Sequence, residues 1–424
     1  MRKICLNAEN KKLGQNALNN GGGGGEKMLY CKKCLQPNTR PSIVFDDGIC
    51  GACLWEQERQ KIDWSARAKE LENIADNAKC KAKGAYDCVV GVSGGKDSTF
   101  QAFYARDVLG LRTLCVNAEP VDITPIGKHN IENLKKHGFD VISINPNKQL
   151  TLKLMKHDFL TYGNPIKCTE YTLYASAYII ADKFDIPLII QGENAGLTLG
   201  VGINKKRFDE LISSTGGDCL DIINANTVKD DPLAIYQKNG LSQKDLFLYK
   251  IPLESIIQKG IRGVWLNYYA KQWSQPANAK FAIEKGIQIY PKNTNPYDIG
   301  TYRRFFQLDA YTVIFNQYLK YIKFGFGQCS DHVCYDIREG LITKDEGKFL
   351  IKELDGKCGE FYLKKMASYL GMDAKTMLEY AQKFRGDMFE KDKNGKWQLK
   401  NPIWEQEPIQ GKYSIKDIMQ RLGI

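Results

Sequence analysis

Ser93-Gly94-Gly95-Lys96-Asp97-Ser98 sets two hydroxyls, two glycines, an amine and a carboxylate between the apolar run Tyr86 to Val92 and a helix-patterned stretch, Thr99 to Leu109. Strand, glycine turn and helix start make an anion site. The first amides of a helix lack intrahelical acceptors, and the aligned peptide dipoles add roughly half a positive charge at that end. Lys96 adds a full charge, and the glycines let the backbone approach a ligand closely. Asp97 puts a carboxylate beside the bound phosphates, where Mg²⁺ would bridge the two. The loop is not a Walker A motif: counted from Gly91, the position that should be glycine is Lys96, and Asp97 follows it. A tight surface turn is the plainer alternative, and the flanking hydroxyls and Asp97 weigh against it.

Upstream, Cys31-x2-Cys34 and Cys50-x2-Cys53, with fifteen residues between the pairs, suit four thiolates closing on one zinc ion. Two such knuckles make a zinc ribbon. Four thiolates leave no open position for water, so the expected Zn²⁺ is structural.

The elements that position these groups read as alternating strands and helices. An amphipathic helix from Ile62 to Lys83 carries Trp64, Ala68, Leu71, Ile74 and Ala75 at three- and four-residue steps. Strands are expected over Asp87–Val92, Arg112–Asn117, Val141–Ile144 and Pro187–Gln191, and helices over Thr124–His137, Leu150–Phe159 and Thr172–Phe184. Strands separated by helices imply parallel crossovers and an α/β, doubly wound sheet, whose ligands sit beyond the carboxyl ends of the strands. Those ends present Ser93 to Ser98, Asn117 and Glu119, Asn145, and Gly192-Glu193-Asn194. Past Gly202 the periodicity becomes mostly helical, and Asn394-Gly395 in the tail predicts a hairpin.

The division that follows is a zinc ribbon over 28–60, a linker helix over 61–84, a phosphate-binding sheet domain over 85–260, a helical region over 261–385 and a tail over 386–424. Residues 1–27, with Gly21 to Gly25 before Met28, read as a translated leader or else as a flexible linker.

The chain has 424 residues, enough for two or three domains, and a net charge of +11, which favours acidic partners: nucleotides, nucleotide-sugars or RNA. Its lysines are spread rather than clustered, so nucleic acid is not the expected partner. Thirteen cysteines without a secretory signal point to a reducing, cytoplasmic setting. No run approaches eighteen apolar residues, so no membrane insertion is expected.

The hexapeptide resembles the SGGxDS signature of the PP-loop ATP pyrophosphatases, which implies an adenine nucleotide alpha hydrolase-like sheet domain. Four segments together resemble the N-acetyl sugar amidotransferase family of bacterial surface-sugar pathways, the group acting in pseudaminic and legionaminic acid, lipopolysaccharide and flagellin glycosylation. They are the Cys31 to Cys53 ribbon, Gly91 to Ser98, Ile190 to Asn194, and Tyr321 to Gly327 continuing through Ser330-Asp331-His332 to Asp336-Ile337-Arg338. The resemblance runs from Met28 to about Asp355, and Trp265 to Asn278 shares it except at Lys271-Gln272-Trp273.

It implies a ligase that uses ATP and Mg²⁺ to adenylate the acetamido oxygen of a surface sugar, a nonulosonic acid or acetamido uronic acid and in the first place a nucleotide-linked one, so that ammonia displaces it to give an acetamidino group. Ser93, Gly94, Gly95, Lys96, Asp97, Ser98, Asn117, Gly192 and Glu193 would hold ATP, and Asp97 the magnesium. Lys96, Asp97, Asp331 and His332 are the catalytic candidates; Arg303 and Arg304 would clamp a phosphate or a carboxylate unless they are merely solvated. The chain lacks a Gly-x-Cys-x-Gly elbow, and Leu29 follows Met28, so neither glutaminase nucleophile is present. Implied partners are glutaminase and ammonia-channelling subunits like those of imidazole glycerol phosphate synthase, with a free or nucleotide-linked sugar as substrate. The rival readings are a PP-loop tRNA-modifying thiolase or amino-acid ligase, and a non-catalytic zinc-ribbon RNA-binding protein. A thiolase would need a second cysteine near Cys168, and none lies three positions away.

Overall fold

The computed structural model describes residues 28–202, 204–219 and 233–423, so the leader reading for 1–27 lies outside the described residues. At the amino end, β1 (Phe45–Asp46) and β2 (Ile49–Cys50) pair antiparallel across Asp47-Gly48, both at positive φ. Helix α1 (Gly51–Arg59) starts at the second cysteine pair. Helix α2 (Trp64–Lys81) is capped by Asp63, whose carboxylate accepts from the amides of Ser65 and Ala66.

Strands and helices then alternate: β3 (Cys88–Gly91), α3 (Lys96–Phe103), β4 (Thr113–Ala118), α4 (Pro125–Lys136), β5 (Asp140–Ile144), α5 (Lys148–Tyr162), α6 (Lys167–Lys183) and β6 (Leu188–Gln191). The helix expected to run to Leu109 loosens into a π turn at Tyr104–Val108, closed by Leu109 N–H on the Tyr104 carbonyl at 3.1 Å.

The sheet has five parallel strands rather than the four expected. Its order is β5-β4-β3-β6-β7, with β7 (Arg262–Trp265) at one edge. The sheet therefore continues past residue 260, where the sequence reading opened a helical region. A four-residue strand with an exposed arginine first and a glycine second carries too little period to be read alone. Successive β3 residues serve opposite faces: Cys88 and Val90 join the core with α2 and α3, and Val89 joins the core with α6. Strand order reverses between β3 and β6, so the loops after these two strands flank the switch point where such sheets bind ligands.

Beyond β7 lie α7 (Gln275–Glu284), α8 (Thr312–Phe324), α9 (Gln328–Arg338), α10 (Lys344–Leu354), α11 (Glu360–Leu370) and α12 (Ala374–Ala381). The hairpin β8 (Phe389–Lys391) and β9 (Trp397–Leu399) follows, as Asn394-Gly395 predicts. Phe315, Leu319 and Met366 of α8 and α11 bury against Leu154, Met155 and Phe159 of α5. That apolar cluster seats the carboxyl-terminal helices against α5 of the sheet domain. Among the described residues no helix is long and apolar enough to cross a membrane.

Candidate active site

The glycine loop after β3 is held from outside. Gly94 sits at φ +76°, and a Cβ there would lie 3.0 Å from Asn130 Cβ. Asn130, fully buried on α4, donates to the Gly94 carbonyl at 2.8 Å and ties the loop to Gln288. Gly95 is the N-cap of α3 and offers no side chain, so the helix start stays open to a ligand. Ser98 Oγ accepts from Ser93 N–H at 3.3 Å and donates to the Gly95 carbonyl at 3.2 Å, fixing the turn.

Lys96 is buried, with only 5% of its surface exposed, and does not face bulk solvent. Its Nζ pairs with Asp97 Oδ2 at 2.6 Å and lies 5.7 Å from the ring centres of both Phe305 and Phe306. Asn278 Nδ2 donates to Asp97 Oδ1 at 2.9 Å, which leaves Asn278 Oδ1 buried without a partner. Asp97 with that orphaned amide oxygen is a hard-oxygen set that fits Mg²⁺. Gln101 Oε1 and Asn117 Oδ1 are likewise buried and unpaired, while Asn117 Nδ2 donates to the Val92 carbonyl at 2.8 Å.

Across the switch point, Gly192 passes so close to α3 that a Cβ would lie 2.1 Å from Gln101 Nε2 and 2.8 Å from the Trp273 ring. Glu193 accepts from Gln275 Nε2 at 3.2 and 3.3 Å. Burial raises its carboxyl above the ordinary range, and the nearby charge of Asp97 adds to this. Gln275 Oε1 in turn accepts from Arg303 Nη1 at 2.7 Å, and Tyr335 OH accepts from Gln275 N–H. Gln275 and Asn278, one turn apart on α7, therefore brace Glu193 and Asp97 together. Neither was singled out by the sequence reading, although both lie in the Trp265 to Asn278 segment that it marked.

Arg303 is 1% exposed and anchored on Asp336 of α9, with Nη2 at 2.5 Å from Oδ1. Arg304 is buried as well and donates to the Tyr290 carbonyl at 2.7 Å. The alternative of a solvated arginine pair is thereby overturned: both side chains are buried, Arg303 on Asp336 and Gln275 and Arg304 on the Tyr290 carbonyl.

Asp331 and His332 are adjacent in sequence but serve different neighbours. Asp331 is held between Arg40 of the ribbon and Lys320 of α8. Burial alone would raise its carboxyl, but these two cations hold it below the ordinary range. His332 is buried, with Nδ1 at 2.6 Å from Thr301 Oγ1 and Nε2 at 3.0 Å from Gln328 Nε2. Its ring lies edge to face on Phe306, 4.4 Å between centres, so Phe306 stands between His332 and Lys96. Burial, then Arg303, Lys96 and Lys320, keeps the imidazole neutral far below its usual titration range.

The four cysteines of the ribbon form one buried cluster whose sulfurs all lie within 4.8 Å of one another, with Cys31 to Cys53 at 3.8 Å and Cys34 to Cys50 at 3.5 Å. Tetrahedral zinc thiolate bonds would put sulfurs about 3.8 Å apart, so the donor set and its size fit a structural zinc. Arg338, at the end of α9, donates to Cys34 Sγ and to the Thr198 carbonyl, joining the cluster to the loop after β6.

Residues 299–404 match the family model for the C-terminal domain of WbpG-like LPS biosynthesis proteins. That stretch supplies Arg303, Phe305, Phe306, His332 and Asp336. The chain is also similar to an uncharacterized protein of Methanocaldococcus jannaschii, 28% identical over 133 residues. The match takes in 31% of this chain and 44% of that protein, so it spans less than half of that relative's length.

Proposed function

We propose that the chain is an ATP-dependent ligase of lipopolysaccharide or related surface-sugar synthesis that converts an acetamido group to an acetamidino group. The observation that carries this reading is the burial of Lys96 on Phe305 and Phe306, which puts a phosphate-type loop against the WbpG-like region.

ATP supplies the adenylyl group that turns the amide oxygen into a leaving group, departing as AMP after pyrophosphate has been released. The amides of Gly94 and Gly95 and the ammonium of Lys96 hold the phosphate charge as it builds. Lys96 is neutralised by Asp97, a pairing that a bound phosphate would replace, and Asp97 and Asn278 are the residues that would hold Mg²⁺, which would supply charge to offset the phosphates. Glu193, whose carboxyl is raised by burial, stands at the cleft floor as the group to take a proton from incoming ammonium. His332 has both ring nitrogens engaged, so its part is to hold Phe306 against Lys96. Asp331 locks α9 to the ribbon and α8.

Ammonia comes from a partner glutaminase subunit, as the family resemblance implies. The thiolase alternative draws no support from Cys168, which is fully buried and whose thiol is pushed well above its ordinary range by burial. The test is nucleotide analysis: incubation with ATP, Mg²⁺, an ammonium salt and a panel of acetamido sugars yields AMP and pyrophosphate in sugar-dependent fashion. Formation of ADP, or nucleotide turnover that follows added tRNA instead, overturns the proposal.

A further inference from the structure

Helix α6 is longer than the sheet it packs on. Its Ala177, Tyr178 and Ala181 belong to the core beneath β3, and Ala177 Cβ lies 4.0 Å from the Cβ position of Gly91, the last residue of β3. Because α6 leads into a parallel strand, it runs against the sheet, and its amino-terminal part projects past the carboxyl end of β3. Ten residues, Lys167 to Ser176, make about 15 Å of helix standing as a wall of the cleft. Lys167, Glu170 and Tyr174 share one face of it, at i, i+3 and i+7.

Beside it, Lys323 in the last turn of α8 donates to the Tyr162 carbonyl at 2.9 Å, and Lys167 Nζ lies 4.2 Å from the centre of the Tyr162 ring. The two ammonium groups thus converge on one tyrosine at the end of α5. Glu170 stands near both yet makes no ion pair with either. Burial, with the charge of Lys167 added, lowers Lys323 to about 8, and Glu170, whose own surface stays exposed, is raised to about 7 by the protein crowded around it. Two cations brought together without a paired carboxylate among the described residues are held at a cost that an anionic ligand would offset.

We infer that Lys167 and Lys323 form an anion subsite for the substrate, so that the acetamido sugar carries a carboxylate or a phosphate which docks there while its amide reaches the floor at Lys96 and Glu193. This rests on the reading of the cleft as a sugar site. Tyr174 lies between the two ends and feels the charges of both Glu170 and Glu193. Lys167 is about 10 Å farther along the helix from Tyr174, the reach of a hexose with a substituent.

Titration calorimetry on the full chain, preloaded with Mg²⁺ and a non-hydrolysable ATP analogue so that the phosphate loop is filled, tests this with three probes. They are UDP-N-acetylglucosamine, N-acetylneuraminate and neutral N-acetylglucosamine. The expected result is that at least one charged probe binds better than the neutral sugar, and that K167Q and K323Q each weaken it about tenfold while K323R keeps it. A response by the UDP sugar alone assigns the site to phosphate, and one by N-acetylneuraminate alone assigns it to carboxylate. Charged probes that bind no better than the neutral one, no binding of any probe, or unchanged affinity in both glutamine variants overturns the inference. The analogue's own binding is read in the same experiment. If it binds and the sugars ignore the lysines, only the subsite fails; if the wild-type chain does not bind it, the ligase reading fails.

Discussion

Arg338 Nη1 lies 3.6 Å from Cys34 Sγ, so the guanidinium that ends helix α9 is hydrogen-bonded to a cysteine 304 positions earlier in the chain. The same helix carries Asp336, which anchors Arg303, and His332, which backs Phe306. The cysteine cluster is thereby part of the scaffold that aims Phe305 and Phe306 at Lys96.

Removing metal from the cluster, or substituting Arg338→Met, lowers the stability of the whole chain rather than of a detached module. For the substitution the loss is about 1.5–3 kcal/mol, the range for a hydrogen bond involving a charged group. Chemical denaturation with and without a strong chelator checks it, and the variant should be the less sensitive of the two proteins to chelation.

Lys96→Met removes the charge proposed to meet the phosphates without opening the fold, since its neighbours Phe305 and Phe306 accept an apolar chain. Pyrophosphate release should fall by about a hundredfold or more. The melting curve should stay within a small shift of wild type, and a variant that retains activity would contradict the assignment of the loop.

Breaking the Arg303 to Asp336 pair leaves a buried charge alone. Arg303→Met should cost about 3–5 kcal/mol in urea unfolding, and adding Asp336→Leu should restore part of it, because the pair is worth less than either orphan costs.

Gly192→Ala presses a methyl group on Gln101 and Trp273. The amide end of Gln101 can swing away but the indole is boxed in, so about 1–3 kcal/mol of stability is lost, with reduced pyrophosphate release.

His332 stays neutral in the fold to well below its ordinary value, whereas the unfolded chain takes up a proton near pH 6.5. The unfolded state then binds more protons below that pH, so stability falls as pH drops. Between pH 7.5 and 5.5 this histidine removes about 1.4 kcal/mol, and the pH dependence of His332→Asn should be shallower by that amount.

Much of this was legible in the residues. The Ser93 to Ser98 turn needed only its flanking strand and helix to be placed, and four strands alternate with amphipathic helices plainly enough to give a doubly wound sheet. The cysteine cluster follows from spacing. Strand β7 was not legible, because Arg262-Gly263-Val264-Trp265 is too short for periodicity and is defined by pairing with β6. Nor were the braces Gln275 and Asn278, whose partners lie about 80 and 180 positions away, nor the partner Asp336 that anchors Arg303 about 30 positions on, distances over which side-chain type carries no local signal. The i, i+3 spacing of Gln275 and Asn278 was the clue available. His332 was conspicuous by rarity, and only the fold reveals that both its nitrogens are spoken for.

The most direct test of the central claim follows the oxygen atom. An acetamido sugar carrying a heavy oxygen isotope in its acetyl carbonyl is turned over with ATP, Mg²⁺ and ammonia, and the nucleotide products are separated and weighed by mass spectrometry. The account predicts the label in AMP, with the sugar gaining nitrogen in its place. Label found in inorganic phosphate, or retained in the sugar while ATP is consumed, would contradict it.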